Sequence, residues 1–248
     1  MLRLALMAIF LASSFSAAAE PRVYFGHQSV GANILQGVKE LGPTTGLRLS
    51  IKDEFLAENG DPLRKLQNFK AAVGEDSRYD IALIKFCYVD VNADTDARAL
   101  FERYRATIAE LRAKNPRTVF VHATLPLTTV QSGPKALAKR LLGRAPYGTI
   151  ENVRREEYNR LLRATYAGRE PIFDLARLES IAPDGTSVTV SWDGATVPAM
   201  SLAYTEDGGH LNAKGRAMAA QEFVRVLAAA SRPLQKIEGL ATPVRMSR

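Results

Sequence analysis

Val23-Tyr24-Phe25-Gly26-His27-Gln28-Ser29-Val30-Gly31 begins with a β-prone triplet, turns at Gly26 and leads into a run with Ile34, Leu35, Val38 and Leu41 at helical spacing. Strand, turn and helix in that order form the first unit of a βα alternation, and the pattern recurs along the chain. Leu47, Leu49 and Ile51 alternate as in a second strand, and Asp61 followed by Pro62 marks the start of a helix carrying Leu63, Leu66, Phe69 and Val73. Ile81 to Val89 is an almost unbroken apolar run interrupted by Lys85, as expected of a central parallel strand covered on both faces. A helix follows with Leu100, Phe101, Tyr104, Ile108 and Leu111 on one side, then a fourth strand over Thr118 to Ala123. Beyond an insert from Leu125 to Gly148, expected to cross the mouth of any site, comes a helix with Ile150, Val153, Leu161 and Leu162. A fifth strand follows at Ile172 to Leu175. Asp193-Gly194 closes a hairpin between Ser187–Trp192 and Ala195–Met200, and a last helix runs from about Ala213 to Ala230. The expected fold class is α/β, three layers with a central parallel sheet.

Both ends are read separately. Arg3, the apolar stretch Leu4 to Ala12 and the small residues Ala17 to Ala19 have the layout of a secretory leader cleaved after Ala19, so residues 1–19 are set apart and the product is expected to be periplasmic or secreted. The leader is too short to span a bilayer and no later stretch is long enough, so no stable membrane insertion is expected after cleavage. Residues 20–232 read as one domain, and 233–248 as a basic tail. A hydrophobic share of 46% with 24% charged residues is that of a globular chain and argues against extended disorder. The formal charge of +7, of which the leader carries one, favours anionic surroundings. The basic residues are scattered without a recognition motif, which argues against a nucleic-acid partner. A single cysteine, Cys87, allows no internal disulfide and reads as a packed small hydrophobe.

In a parallel sheet, ligands sit beyond the carboxyl ends of the strands, so the turns there are where chemistry is sought. Ser29 lies in such a turn at the start of a helix, where free backbone N–H groups and the dipole favour a developing oxyanion; taken alone it also reads as an N-cap. Near the other end, Asp207-Gly208-Gly209-His210 sets a carboxylate three residues before an imidazole. A serine hydroxyl needs a base, and an imidazole needs a carboxylate to fix its tautomer, so the two segments complement one another.

Together they resemble the SGNH/GDSL hydrolases, which have a serine after the first strand and Asp-x-x-His before the last helix. The match is close in residues over Asp207 to Gly215 and positional at Ser29, where Gly26-His27-Gln28-Ser29 stands in place of Gly-Asp-Ser. The resemblance implies a flavodoxin-like SGNH hydrolase fold, with Ser29 as nucleophile, His210 as base and Asp207 as its orienting acid. It also implies an oxyanion hole of the Ser29 and Gly60 N–H groups. The family's oxyanion asparagine is absent: Cys87-Tyr88-Val89-Asp90 occupies its place, leaving Tyr88 as the candidate substitute. Asp174 matches a fifth-strand residue of structural role. His27, Asp90, His122 and Trp192 are candidate substrate-binding residues, and Tyr88, Tyr147 and Trp192 are candidate sugar-stacking rings.

Three histidines without shared short spacing give no metal signature, and no cofactor motif is present. The Gly-x-Ser-x-Gly elbow of the α/β-hydrolases fits less well, since His27 and Gln28 precede the serine. The expectation is therefore a serine ester hydrolase acting through an acyl-enzyme on O-acylated carbohydrate or another small ester. Its alternatives are a catalytically weakened glycan-binding or accessory protein on the same fold, and an O-acyltransferase using the same three residues.

Overall fold

The structure is a computed structural model that describes residues 20–42 and 49–241. The leader at 1–19, Leu47 of the second strand and the last residues of the tail lie outside the described residues.

Strand β1 (Arg22–His27) is flanked by β2 (Ser50–Phe55) and β3 (Ile81–Ile84), and β3 pairs in turn with β4 (Val119–Phe120), all in parallel. The chain continues through Val121 into β5 (His122–Ala123), which pairs in parallel with β6 (Ile172–Phe173), giving the order β2-β1-β3-β4/β5-β6. Side chains alternate across this sheet. Val23, Phe25, Ile81 and Leu83 face a core completed by Ile34 of α1 (Ser29–Leu41) and Phe223 of α7 (Ala213–Ala241). Tyr24, Ala82 and Ile84 face the opposite core, built with Phe69 of α2 (Pro62–Val73), Phe101 and Tyr104 of α3 (Ala97–Lys114) and Tyr158 of α5 (Thr149–Tyr166). Helices thus cover both faces, and the three-layer α/β/α arrangement follows from that period of two.

Several boundaries differ from the sequence expectation. The central strand ends at Ile84 rather than Val89: Tyr88–Asp90 is a 3-10 turn, because Asp90 accepts the N–H of Cys87 at 2.7 Å and curls the chain. Lys85 is fully buried with Nζ donating to the carbonyl of Phe86 at 3.0 Å. The fifth strand stops at Phe173, where Asp174 caps the short α6 (Leu175–Glu179) and takes a two-pronged ion pair from Arg163 at 2.8 Å on each oxygen. The insert contains α4 (Pro134–Leu141), while its first residues, Leu125 to Thr128, are buried. The hairpin β7 (Thr189–Trp192) and β8 (Ala195–Pro198) turns through Asp193 and Gly194 with φ of 47° and 73°. Helix α7 continues to Ala241, past the end expected near Ala230 and into the segment read as a tail.

Order β2-β1-β3 reverses direction at β1, so the crevice beyond the ends of β1 and β3 is the natural ligand position. The serine of the opening motif stands there.

Candidate active site

Ser29 is the first residue of α1, and Gln28 occupies the cap position without capping, since its side-chain amide donates to the carbonyl of Leu56 at the end of β2. The Ser29 hydroxyl is therefore free of the capping role. It lies 3.0 Å from Nε2 of His210. Nδ1 of His210 is in turn 2.6 Å from Oδ2 of Asp207. An alcohol near one end of the chain and an imidazole and a carboxylate three residues apart near the other thus form one hydrogen-bonded row at the positive end of a helix.

The loop holding this row is built on Asp207. Its Oδ1 accepts the N–H groups of Gly209 at 2.9 Å and His210 at 2.8 Å, and the Thr205 hydroxyl at 3.2 Å. These bonds, the His210 N–H first among them, hold its carboxyl well below the usual carboxylate range, so it stays ionised. The loop is pinned to α1 by the N–H of Leu211 donating to Oδ1 of Asn33 at 3.1 Å, and to the insert by the Thr129 N–H donating to the Gly208 carbonyl at 2.9 Å. Gly209 packs directly under Tyr88: a Cβ there would lie 2.8 Å from the ring's Cζ. The Tyr88 ring meets His210 edge-on at 5.7 Å between centroids.

Beside Asp207 opens a cleft of about 450 Å³ whose walls include Tyr88, Thr129, Gln131, Lys139 and Tyr147. Its frame comes from a polar face of α5. Arg155 donates from Nε and Nη2 to the Tyr88 carbonyl at 3.1 and 2.9 Å and from Nη1 to the Thr128 hydroxyl at 2.9 Å. Asn152 and Asn159 each exchange hydrogen bonds with buried backbone, of Thr128 and Leu125 respectively. Sequence reasoning missed these residues as well as Asn33. The signal was present in Asn152, Arg155 and Asn159, polar residues at i, i+3 and i+7 on the face a helix should bury.

Other candidates do not join the site. The Gly60 N–H donates to Oδ1 of Asp90 at 2.9 Å, so it is not free for an oxyanion. Asp90 is buried and ion-paired to Lys65 with Nζ 2.6 Å from both carboxylate oxygens, which makes it an anchor for the loops after β2 and β3 and withdraws it from substrate. His122 is buried in the opposite core, stacked on Tyr166 at 3.5 Å and hydrogen-bonded to Tyr104 at 2.7 Å and Glu170 at 3.0 Å. His27 is buried, its ring against Phe25 and Phe55, with Nδ1 2.9 Å from the Gln28 carbonyl, and burial lowers its pKa. Trp192 sits in the β7–β8 hairpin and is not part of the cleft wall. Cys87 is buried. Among the described residues no group of three His, Cys, Asp or Glu side chains is arranged to hold a metal, and no helix is long and apolar enough to cross a membrane.

No protein-family model and no curated protein matches this sequence. Solved structures do. A protein assigned to the lipolytic G-D-S-L family from Desulfitobacterium hafniense superposes with a TM-score of 0.51 at 13% identity, over 84% of this chain and 99% of that one. The fold is that of the SGNH/GDSL hydrolases. A carbohydrate esterase of family 3 from Talaromyces cellulolyticus shares this SGNH/GDSL fold with the chain at a TM-score of 0.52 and 14% identity, over 86% and 99% of the two chains. The periplasmic domain of a lipopolysaccharide acetyltransferase from Salmonella ser. Paratyphi A does so at a TM-score of 0.52 and 13% identity, over 85% and 84%.

Proposed function

We propose that this SGNH/GDSL-fold chain is a serine ester hydrolase acting through an acyl-enzyme. The observation that carries the reading is the continuous row Asp207–His210–Ser29, with gaps of 2.6 and 3.0 Å, at the N-terminus of α1. Ser29 Oγ attacks the ester carbonyl as His210 takes its proton; the alkoxide leaves with that proton, and water repeats the cycle on the acyl-enzyme. Asp207 holds Nδ1–H toward itself and leaves Nε2 as the base. The N–H of Ser29, in the first turn of α1 where no helical acceptor exists, points the oxyanion to the helix start. An open cleft walled by tyrosines, threonines, Gln131 and Lys139 supports a polar substrate, and O-acylated carbohydrate is the class we assign. The layout of residues 1–19 supports an exported enzyme.

The test is turnover of a short-chain aryl ester by wild type and Ser29→Ala. Loss of activity to near background is expected, and unchanged turnover in the variant removes Ser29 from the mechanism.

One observation favours a second reading. With the Gly60 N–H taken up by Asp90 and no asparagine within Cys87–Asp90, where the family's oxyanion asparagine stands, the oxyanion cradle is sparse, and losing one such donor typically costs about 10²- to 10³-fold in rate. A glycan-binding protein with weakened catalysis fits that sparseness. It predicts no labelling of Ser29 by an active-site phosphonate, whereas stoichiometric labelling there rejects it. An O-acyltransferase uses the same residues, and an acylated sugar formed when an acceptor is added identifies it.

A further inference from the structure

Helix α4 projects from the insert with an unusual surface. Leu137 and Leu141, one turn apart, are 59% and 80% exposed, and Leu142 at the helix end is 73% exposed. Lys135, Lys139, Arg140 and Arg144 surround them, and no Asp or Glu occurs between Glu110 and Glu151. Arg140 also lines a groove of about 640 Å³ whose other wall carries Leu202, itself 74% exposed. Single exposed leucines are ordinary, but an apolar cluster ringed by cations with no acid in the segment is the pattern of a surface-lying basic amphipathic helix.

We propose that α4, with Leu202 beside it, is a docking surface for an anionic lipid bilayer. The leucines enter the boundary between headgroups and acyl chains, and Lys135, Arg140 and Arg144 pair with lipid phosphates, while Lys139 donates to Oε1 of Gln131 at 2.8 Å on the cleft side. Charge complementarity selects this occupant: a second copy of the chain would set two cationic patches face to face, which repels, whereas an anionic leaflet attracts each cation near its surface. The proposal does not depend on the esterase reading. Its consequence for the site is positional, because Lys139 of α4 also walls the cleft beside Asp207, so docking brings the cleft mouth toward the lipid surface.

A local readout on the full chain tests it. Leu142→Cys is labelled with an environment-sensitive fluorophore, Cys87 being buried and so unreactive, and is mixed with phosphatidylcholine vesicles with or without phosphatidylglycerol. The expected result is a blue shift with the anionic vesicles alone, weakened by salt, with apparent affinity reduced about tenfold or more when Leu137→Ser and Leu141→Ser are added. Lys135→Gln with Arg144→Gln should reduce it comparably. These side chains are exposed, and a thermal melt matching wild type verifies that the variants fold. No shift on anionic vesicles overturns the proposal, as does a shift that the leucine variants leave intact, since net charge alone would then explain it. A shift that appears without vesicles as protein concentration rises identifies a second copy as the occupant and overturns it equally.

Discussion

Asp207 divides two tasks between its oxygens. Oδ1 collects the Gly209 and His210 N–H groups that shape the loop, while Oδ2 faces Nδ1 of His210. Asp207→Asn separates these tasks. The amide oxygen can still accept the two backbone donors, so the loop should keep its form, but an NH₂ group then faces Nδ1 and forces the proton onto Nε2. Ser29 loses its base, and kcat on an aryl ester should fall about 10⁴-fold while the melting temperature changes little. A variant with wild-type kcat would show that Asp207 does not orient His210. Tyr88 belongs to the same scale: its backbone carbonyl is gripped by Arg155 and its ring closes over Gly209, so it shapes the cleft wall whatever its hydroxyl does.

At the scale of elements, the β1-to-α1 turn is set by a close approach. A Cβ on Gly31 would lie 2.3 Å from the Cβ of His27, so Gly31→Ala should cost about 1–3 kcal/mol or more by overpacking. Chemical denaturation of Gly31→Ala, His27→Ala and the double variant checks it: the double variant should lose less than the two single losses combined, and strict additivity would place the strain elsewhere. Helix α2 and the loop after β3 are joined by the buried Lys65–Asp90 pair. Lys65→Met strands a buried carboxylate and should lower stability by about 3–5 kcal/mol in the same measurement, while a near-neutral effect would mean that the Gly60 and Cys87 N–H groups suffice to hold Asp90. These elements also explain what the sequence disclosed. Strand, turn and helix at Ser29 were legible because local periodicity dictates them, and Asp207 with His210 because a short loop brings them together. The end of β3 was not legible, since the bend comes from Asp90 reaching back to Cys87 and from Lys65 on another helix. Nor was the fate of Gly60 or His122, whose partners, Asp90 for one and Tyr104 and Glu170 for the other, are remote in sequence.

For the whole molecule, two fully buried ionisable groups stand at the end of β3 and at the end of α6. They are Lys85, with its pKa lowered by that burial, and Glu179, whose carboxyl burial pushes up to about 8 although Lys85 and Arg155 pull it down. Glu179 ends α6 and accepts the Leu127 N–H at 2.6 Å, so it joins the insert to α6. A carboxyl raised on folding binds its proton more tightly in the native chain than in the unfolded one. Its contribution to stability is therefore complete below the unfolded value near pH 4.3 and is lost as pH rises toward about 8. Glu179→Gln keeps an oxygen for Leu127 and removes the titration. Melting temperatures of the two proteins should be similar near pH 4.5 and diverge in favour of the variant as pH climbs to 8, with the gap flat above that. A constant gap across the range would mean that Glu179 is ionised in the native state throughout, held so by Lys85 and Arg155, and that this buried acid is a fixed charge.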